Sequence, residues 1–121
     1  MLTTILIAED DPLIAMTVID ALGDAGFFTV GPFATNSQAL AYCRKHIPDC
    51  AVLDVWLEDG ESFPLADFLA ERAVPVVFHS GQAEPHELAR RYPEATICAK
   101  PMATSQLTAI VAELSAHHSR A

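Results

Sequence analysis

Cys50-Ala51-Val52-Leu53-Asp54-Val55-Trp56-Leu57-Glu58-Asp59-Gly60 is the stretch on which the reading of this chain turns. Four residues with the character of a buried strand run straight into a carboxylate, and a polar loop containing glycine follows. An ionised aspartate at the end of an apolar strand is costly unless something there uses its charge. In an open α/β sheet, ligands bind outside the carboxyl ends of the strands. Asp54 is therefore the first candidate for a reactive group. An aspartate after a strand also commonly caps a loop or a helix, so the rest of the chain has to decide between the two.

Working outward, the same pattern repeats. Ile5-Leu6-Ile7-Ala8 is a short apolar run of the kind covered on both faces, and it ends in Glu9-Asp10-Asp11-Pro12. Asp11 suits a helix N-cap and Pro12 the first helical position, so a helix is predicted to about Ala25. Its inward face would carry Ile14, Val18, Ala21, Leu22 and Ala25, with Gly26 as the stop. Phe27 to Val30 reads as a second strand closed by Gly31-Pro32, and Asn36 to His46 as a second helix with Ala39, Leu40 and Cys43 inward. After the third strand, Cys50 to Asp54, comes a helix from Ser62 to Arg72 with Leu65, Phe68 and Leu69 apolar.

Val74 to His79 is a fourth strand with its proline near the start, followed by the turn Ser80-Gly81-Gln82. Glu84 to Arg91 can form only a short helix before Pro93. Ala95 to Ala99 is the fifth strand and runs into Lys100-Pro101. The last helix spans Thr104 to His117, with Leu107, Ile110, Val111 and Leu114 facing in. Alternating strands and helices imply right-handed crossovers and a parallel sheet. The predicted fold is α/β: a five-stranded parallel sheet in a flavodoxin-like (βα)5 three-layer sandwich, strand order 2-1-3-4-5. The whole chain, 1–121, fits one domain.

Bulk properties narrow the function. Apolar residues make up 51% of the 121, and the net charge is −9 with only seven Lys and Arg. That balance argues against nucleic acid or an anionic membrane as partner. No apolar run is long enough to span a bilayer, and the start of the chain lacks the basic opening of a signal peptide. Cys43, Cys50 and Cys98 are odd in number and set in apolar surroundings, which reads as buried thiols in a reducing cytoplasm.

In a parallel sheet the polar residues just past strands one, three, four and five share an edge: Glu9 and Asp10, Asp54, Ser80, and Lys100. Carboxylates packed together repel, and in isolation one of them would keep its proton. A hard divalent cation resolves this, and Mg2+ is commonly held by one or two carboxylates plus a phosphate. Lys100 is a point-charge partner for phosphate, and Ser80 offers a hydroxyl donor. The set suits acceptance of a phosphoryl group on Asp54.

With these residues in place the chain resembles, over essentially its whole length, a receiver domain of two-component response regulators. The resemblance rests on Glu9-Asp10, Asp54, Ser80-Gly81 and Lys100-Pro101, in that order at the strand ends. It implies that Asp10 and Asp54 ligate Mg2+ directly, that Glu9 acts through water, and that the backbone carbonyl of Trp56 is a third protein ligand. Ser80 would hydrogen-bond the bound phosphoryl group and Lys100 would pair with it. The phosphoryl donor would be a sensor histidine kinase or a histidine phosphotransfer protein. The protein would not be a metabolic enzyme, its chemistry being limited to its own phosphorylation and dephosphorylation.

Departures from the pattern are informative. Ile97 stands where receivers commonly carry a Tyr or Phe switch, so that signalling account does not carry over. The usual proline is missing from the loop after Asp54. With Gly60-Glu61-Ser62, Pro64 to Asp67 and Phe78-His79-Ser80-Gly81, this resembles the FAT GUY single-domain receivers, which have Phe-Ala-Thr-Gly where this chain has Phe-His-Ser-Gly. Trp56 and Gln82, two residues past Asp54 and Ser80, are expected to control water access to the site; the alternative reading of Trp56 is a large residue covering apolar surface. His79 is expected to pack or hydrogen-bond near the site, while His86, His117 and His118 read as solvent-exposed. A haloacid-dehalogenase-type hydrolase wants a second Asp where Trp56 stands. A receiver-like interaction module acting without phosphorylation is the remaining alternative.

Overall fold

In the computed structural model, which describes residues 2–81 and 85–120, strand β1 (Thr4–Ala8) leads into helix α1 (Pro12–Asp24). Asp11 caps α1 as its sequence suggests: Oδ1 accepts from Leu13 N at 2.9 Å and Ile14 N at 3.3 Å. There follow β2 (Phe28–Phe33), α2 (Asn36–Cys43) and β3 (Cys50–Leu53). A small antiparallel hairpin comes next, β4 (Trp56–Leu57) and β5 (Gly60–Glu61), then α3 (Phe63–Glu71) and β6 (Val76–Ser80). The chain closes with α4 (Pro85–Arg91), β7 (Thr96–Ala99) and α5 (Thr104–Arg120).

Five strands form one parallel sheet in the order β2-β1-β3-β6-β7, which is the predicted 2-1-3-4-5 arrangement once the hairpin strands are set aside. Two apolar layers cover it. On one face Leu6, Leu53 and Phe78 pack with Ala39 and Cys43 of α2, Leu65 and Leu69 of α3, and Leu88 and Tyr92. On the other, Ile5, Ile7, Val52 and Val77 pack with Val18 and Leu22 of α1 and Leu107 and Val111 of α5. Each Val, Leu, Ile or Phe among them, fully buried, contributes about 1.5–3 kcal/mol. Cys43, Cys50 and Cys98 are buried free thiols, and burial pushes Cys50 up to about 12.

Several boundaries differ from the sequence reading. The second strand does not stop at Gly31-Pro32 but runs through it to Phe33. Pro32 is tolerated because β2 is an edge strand, where a missing N–H removes no ladder bond on the open side. Gly31 is required: its φ is +115°, and a Cβ there would lie 2.4 Å from Ile7 O. Ala15 rather than Ala25 completes the buried stripe of α1, since Ala25 is already the C-cap. Helix α2 ends at Cys43 instead of His46, the chain continuing in turns before Pro48. Ser80 is the last residue of β6, paired with Ala99, rather than the first residue past it.

Candidate functional site

Four strand ends converge as the parallel topology requires. Glu9 and Asp10 follow β1, Asp54 follows β3, Ser80 closes β6 and Lys100 follows β7. Backbone bonds lock these ends together. Asp54 N donates to Ala8 O at 2.9 Å, Glu9 N to Phe33 O at 3.0 Å, and Lys100 N to Ser80 O at 3.2 Å. Each reactive side chain is therefore carried by rigid sheet rather than by a free loop.

The centre of the site is the Lys100 ammonium. Nζ donates to Glu9 Oε1 at 2.6 Å and to Asp54 Oδ2 at 3.1 Å. The three side chains are only 16%, 6% and 12% exposed, respectively, so these pairs are shielded from water. The other Asp54 oxygen, Oδ1, is approached by Trp56 N at 3.4 Å. That brings the Trp56 backbone up to the carboxylate.

The electrostatics follow from this geometry. Burial raises the Glu9 carboxyl, and although Lys100 and the Asp11 N–H oppose it, Glu9 is pushed up to about 7. Burial also acts to raise Asp54, but hydrogen bonds from Lys100, Glu9 and Ser80 outweigh it and hold Asp54 below its ordinary value. For Lys100, burial works against the charge, and its bonds to Glu9 and Asp54 win, raising it. One carboxyl of the cluster therefore keeps a proton near neutrality. Glu9, raised to about 7, is the one that shares it, and Asp54, held low, is the ionised carboxylate with a nucleophilic oxygen.

Glu9, Asp10 and Asp54 each present a carboxylate oxygen, all within 4.8 Å of one another. An all-oxygen, carboxylate-rich set open to water on the Asp10 side fits a hard divalent cation such as Mg2+. It does not fit a soft metal, which would call for thiolate or imidazole.

His79 is buried on β6, one residue before Ser80, and its Nε2 has no hydrogen-bond partner among the described residues. Burial, reinforced by the Lys100 charge, holds its imidazole below the ordinary histidine value, so it sits neutral beside the site. It lines a cavity of about 270 Å³ between α1 and α5 whose walls include Leu13, Ile14, Lys100, Met102 and Leu107. His86 is exposed, as expected. Gln82 and the side chains of His117 and His118 lie outside the described residues. Trp56 is 47% exposed at the rim of the site.

Sequence reading missed two groups near the site. Asp59 and Asn36 join the β4–β5 hairpin to the start of α2 through side-chain bonds spanning 23 residues. Tyr92, after α4, donates to Asp67 Oδ1 of α3 at 2.6 Å. The separations are long, and only the pairing of Asp59 with Gly60 as turn residues carried any local signal.

The comparisons agree with this fold. The family model of the response regulator receiver domain matches residues 5–112. PhyR, the phyllosphere-induced regulator of Methylorubrum extorquens, is 30% identical over 116 residues, covering 93% of this chain and 43% of that protein. The chain spans less than half the length of the curated relatives it matches. Among solved structures, SdrG from Sphingomonas melonis Fr1 is 37% identical, with a TM-score of 0.78 over 93% of this chain and 96% of SdrG. A response regulator receiver protein from Sinorhizobium medicae WSM419 superposes with a TM-score of 0.86 over 97% of both chains; at 24% identity it attests the fold alone. No helix among the described residues is long and apolar enough to cross a membrane.

Proposed function

The chain belongs to the response regulator receiver domain family, and from that premise we propose that it accepts a phosphoryl group on Asp54 from a phosphohistidine of a sensor histidine kinase or histidine phosphotransfer protein. The observation that carries this reading is the shared Lys100 ammonium, bonded to both Glu9 and Asp54 at the floor of an acidic, cation-fitting cluster. An ionised Asp54 oxygen attacks phosphorus, the P–N bond to the donor imidazole breaks, and the bonding pair leaves with the imidazole nitrogen. Lys100 is placed to follow the transferred charge from the carboxylate onto a phosphoryl oxygen. The Ser80 hydroxyl, already hydrogen-bonded to Asp54, is placed to donate to the same group.

Glu9, Asp10, Asp54 and the Trp56 carbonyl are the residues that would hold Mg2+, Glu9 through water. When bound, Mg2+ supplies charge neutralisation for the incoming phosphoryl oxygens and the clustered carboxylates. Exposed apolar side chains on the first turns of α1, Leu13 and Met16, and Trp56 at the rim give a partner apolar surface beside an acidic site. The resemblance to FAT GUY receivers, carried by residues 60–67 and 78–81, is part of the same proposal, as is a cytoplasmic location. The protein turns over no external substrate beyond its phosphodonor. Labelling by acetyl phosphate tests the reading: it is expected to need Mg2+ and to vanish in Asp54→Asn. Labelling that persists in that variant refutes Asp54 as acceptor, and no labelling of the wild type favours an interaction module that works without phosphorylation.

A further inference from the structure

The loop that follows Asp54 is tied down from outside the site. Asp59, at the tip of the β4–β5 hairpin, places Oδ1 2.8 Å from Asn36 N and 3.1 Å from Asn36 Nδ2, and Oδ2 3.1 Å from Ser37 N. The Asn36 amide, buried in the structure, also donates to Glu61 O at 2.9 Å, and Glu58 N donates to Ala34 O at 2.9 Å. The first two N–H groups of α2 are thus satisfied by Asp59, while Thr35, the N-cap proper, takes only the third, from Gln38 N at 3.1 Å. An external carboxylate in the first turn also meets the positive end of the helix.

The same hairpin begins at Trp56, whose backbone reaches Asp54. Four residues separate the reactive aspartate from the anchoring one, and two of them, Val55 and Leu57, are buried in the core. The segment is therefore fixed at three places: at Asp54 by the sheet, at Val55 and Leu57 by packing, and at Asp59 by α2. Of these, only the last is made by a charged side chain, and it joins the hairpin to a different element, the start of α2.

We infer that Asp59 is a positioning residue for the cation site: by fastening the β4–β5 hairpin to the N-terminus of α2 it holds the Trp56 backbone at the distance from Asp54 that cation binding requires. This rests on the reading of Glu9, Asp10, Asp54 and the Trp56 carbonyl as a Mg2+ site. Partners that hydrogen-bond metal ligands directly commonly change affinity by about 10–100-fold when removed, and Asp59, one step further out, belongs at the low end of that range. Asp59 acts through the backbone it orients and touches no ligand atom itself.

Titration of Mg2+ alone, followed by the emission of the single tryptophan, tests the inference. Asp59→Ala is expected to weaken Mg2+ binding by about 10-fold, and Asp59→Asn, whose single carbonyl oxygen keeps the acceptor for Asn36 but turns an NH2 toward the Ser37 N–H, to recover part of it. Asn36→Ala removes the amide that bonds both Asp59 and Glu61 but leaves the carboxylate in place, so a smaller loss is expected. Equal Mg2+ affinity in the wild type and Asp59→Ala overturns the inference while leaving the site reading intact. Should Asp59→Ala fail to fold, Asn36→Ala decides, and unchanged affinity in that variant overturns it. A wild type that binds no Mg2+, or an Asp54→Asn variant that binds it undiminished, refutes the site itself.

Discussion

The ammonium of Lys100 lies 2.6 Å from Glu9 Oε1, in a pair whose side chains are only 16% and 6% exposed. Even with that partner Glu9 is raised to about 7, because burial dominates. The folded protein therefore binds a proton that the unfolded chain releases near 4.5. The contribution is most favourable below that lower value and is lost as pH rises through about 7. Metal-free protein is expected to lose on the order of 3 kcal/mol from this group between those limits, at about 1.4 kcal/mol for each pH unit of displacement. Glu9→Gln keeps an acceptor for Lys100 and removes the titration. Denaturant unfolding at pH 8 is expected to find the variant more stable than the wild type by about 1–3 kcal/mol. An unchanged or lower midpoint at that pH would reject the account.

Lys100 donates to two buried carboxyl groups at once and balances the charge of Asp54, so its removal costs more than a surface pair would. Lys100→Ala leaves Asp54 and Glu9 facing each other without a cation, and truncating a buried partner commonly costs about 3–5 kcal/mol. The loss is expected to shrink in saturating Mg2+, where cation binding restores opposing charge. Labelling by acetyl phosphate is expected to fall steeply even with Mg2+ present, since the phosphoryl oxygens lose their mobile partner. Thermal melts with and without Mg2+ separate the two contributions, and a variant as stable as the wild type in the absence of metal would contradict the shared-ammonium geometry.

How much of this could be read from residues alone divides along physical lines. Glu9, Asp10, Asp54, Ser80 and Lys100 were legible because a parallel sheet puts every strand's carboxyl end on one edge, whatever the loop details. The apolar runs at Ile5 to Ala8 and Cys50 to Leu53 declared the strands without ambiguity. The extension of β2 through Gly31-Pro32 was hidden because proline reads as a stop unless the strand is known to lie at the edge. The β4–β5 hairpin has two residues a side, too short for periodicity to show. The Asp59–Asn36 and Tyr92–Asp67 contacts join segments 23 and 25 residues apart, and only tertiary packing creates them.

Gly31 supports the site from behind, since β2 pairs with β1 and Phe33 O receives the Glu9 N–H. Any side chain at residue 31 meets Ile7 O at 2.4 Å and Phe33 N at 3.0 Å with φ at +115°. Gly31→Ala is expected to destabilise by about 1–3 kcal/mol from the backbone conformation, with the clash added to that. Urea unfolding measures it, and a change under about 0.5 kcal/mol, as for an ordinary surface site, would show that β2 relaxes freely there.

With Ile97 at the usual switch position, Tyr92 is the aromatic that links α4 to the sheet. Its ring lies 5.3 Å from Phe78, on the strand that carries Ser80, and 5.7 Å from Phe63. Its hydroxyl donates to Asp67, and Arg91 both stacks on Phe63 and stands 3.8 Å from Asp67 Oδ2. Leu88 is the only buried residue within α4, so this phenol is a main tether of the helix. Tyr92→Phe is expected to cost about 1 kcal/mol and to speed amide exchange in α4 and at Ala95 to Ala99 more than elsewhere. Exchange in these segments is also expected to change when Asp54 carries a phosphoryl mimic, and to change less in Tyr92→Phe. Equal responses in the two proteins would rule out a relay through Tyr92.

Trp56 stands 47% exposed two residues past Asp54, with its N–H at 3.4 Å from Asp54 Oδ1. Hydrolysis of a phosphoryl group on Asp54 needs a water to reach phosphorus from the side away from the carboxylate. A large indole anchored by its backbone at that point excludes solvent more effectively than a small polar side chain. Trp56→Asn is expected to shorten the phosphoryl half-life by about 3–10-fold, less than 1.4 kcal/mol of barrier, without altering the backbone bond to Asp54. The test is decay of labelled protein after removal of acetyl phosphate, at saturating Mg2+ so that metal affinity does not enter. Trp56→Phe, which keeps an apolar ring, is expected to lie between the two. Identical half-lives in all three proteins would mean that the indole merely covers neighbouring apolar surface and that water reaches Asp54 by another path.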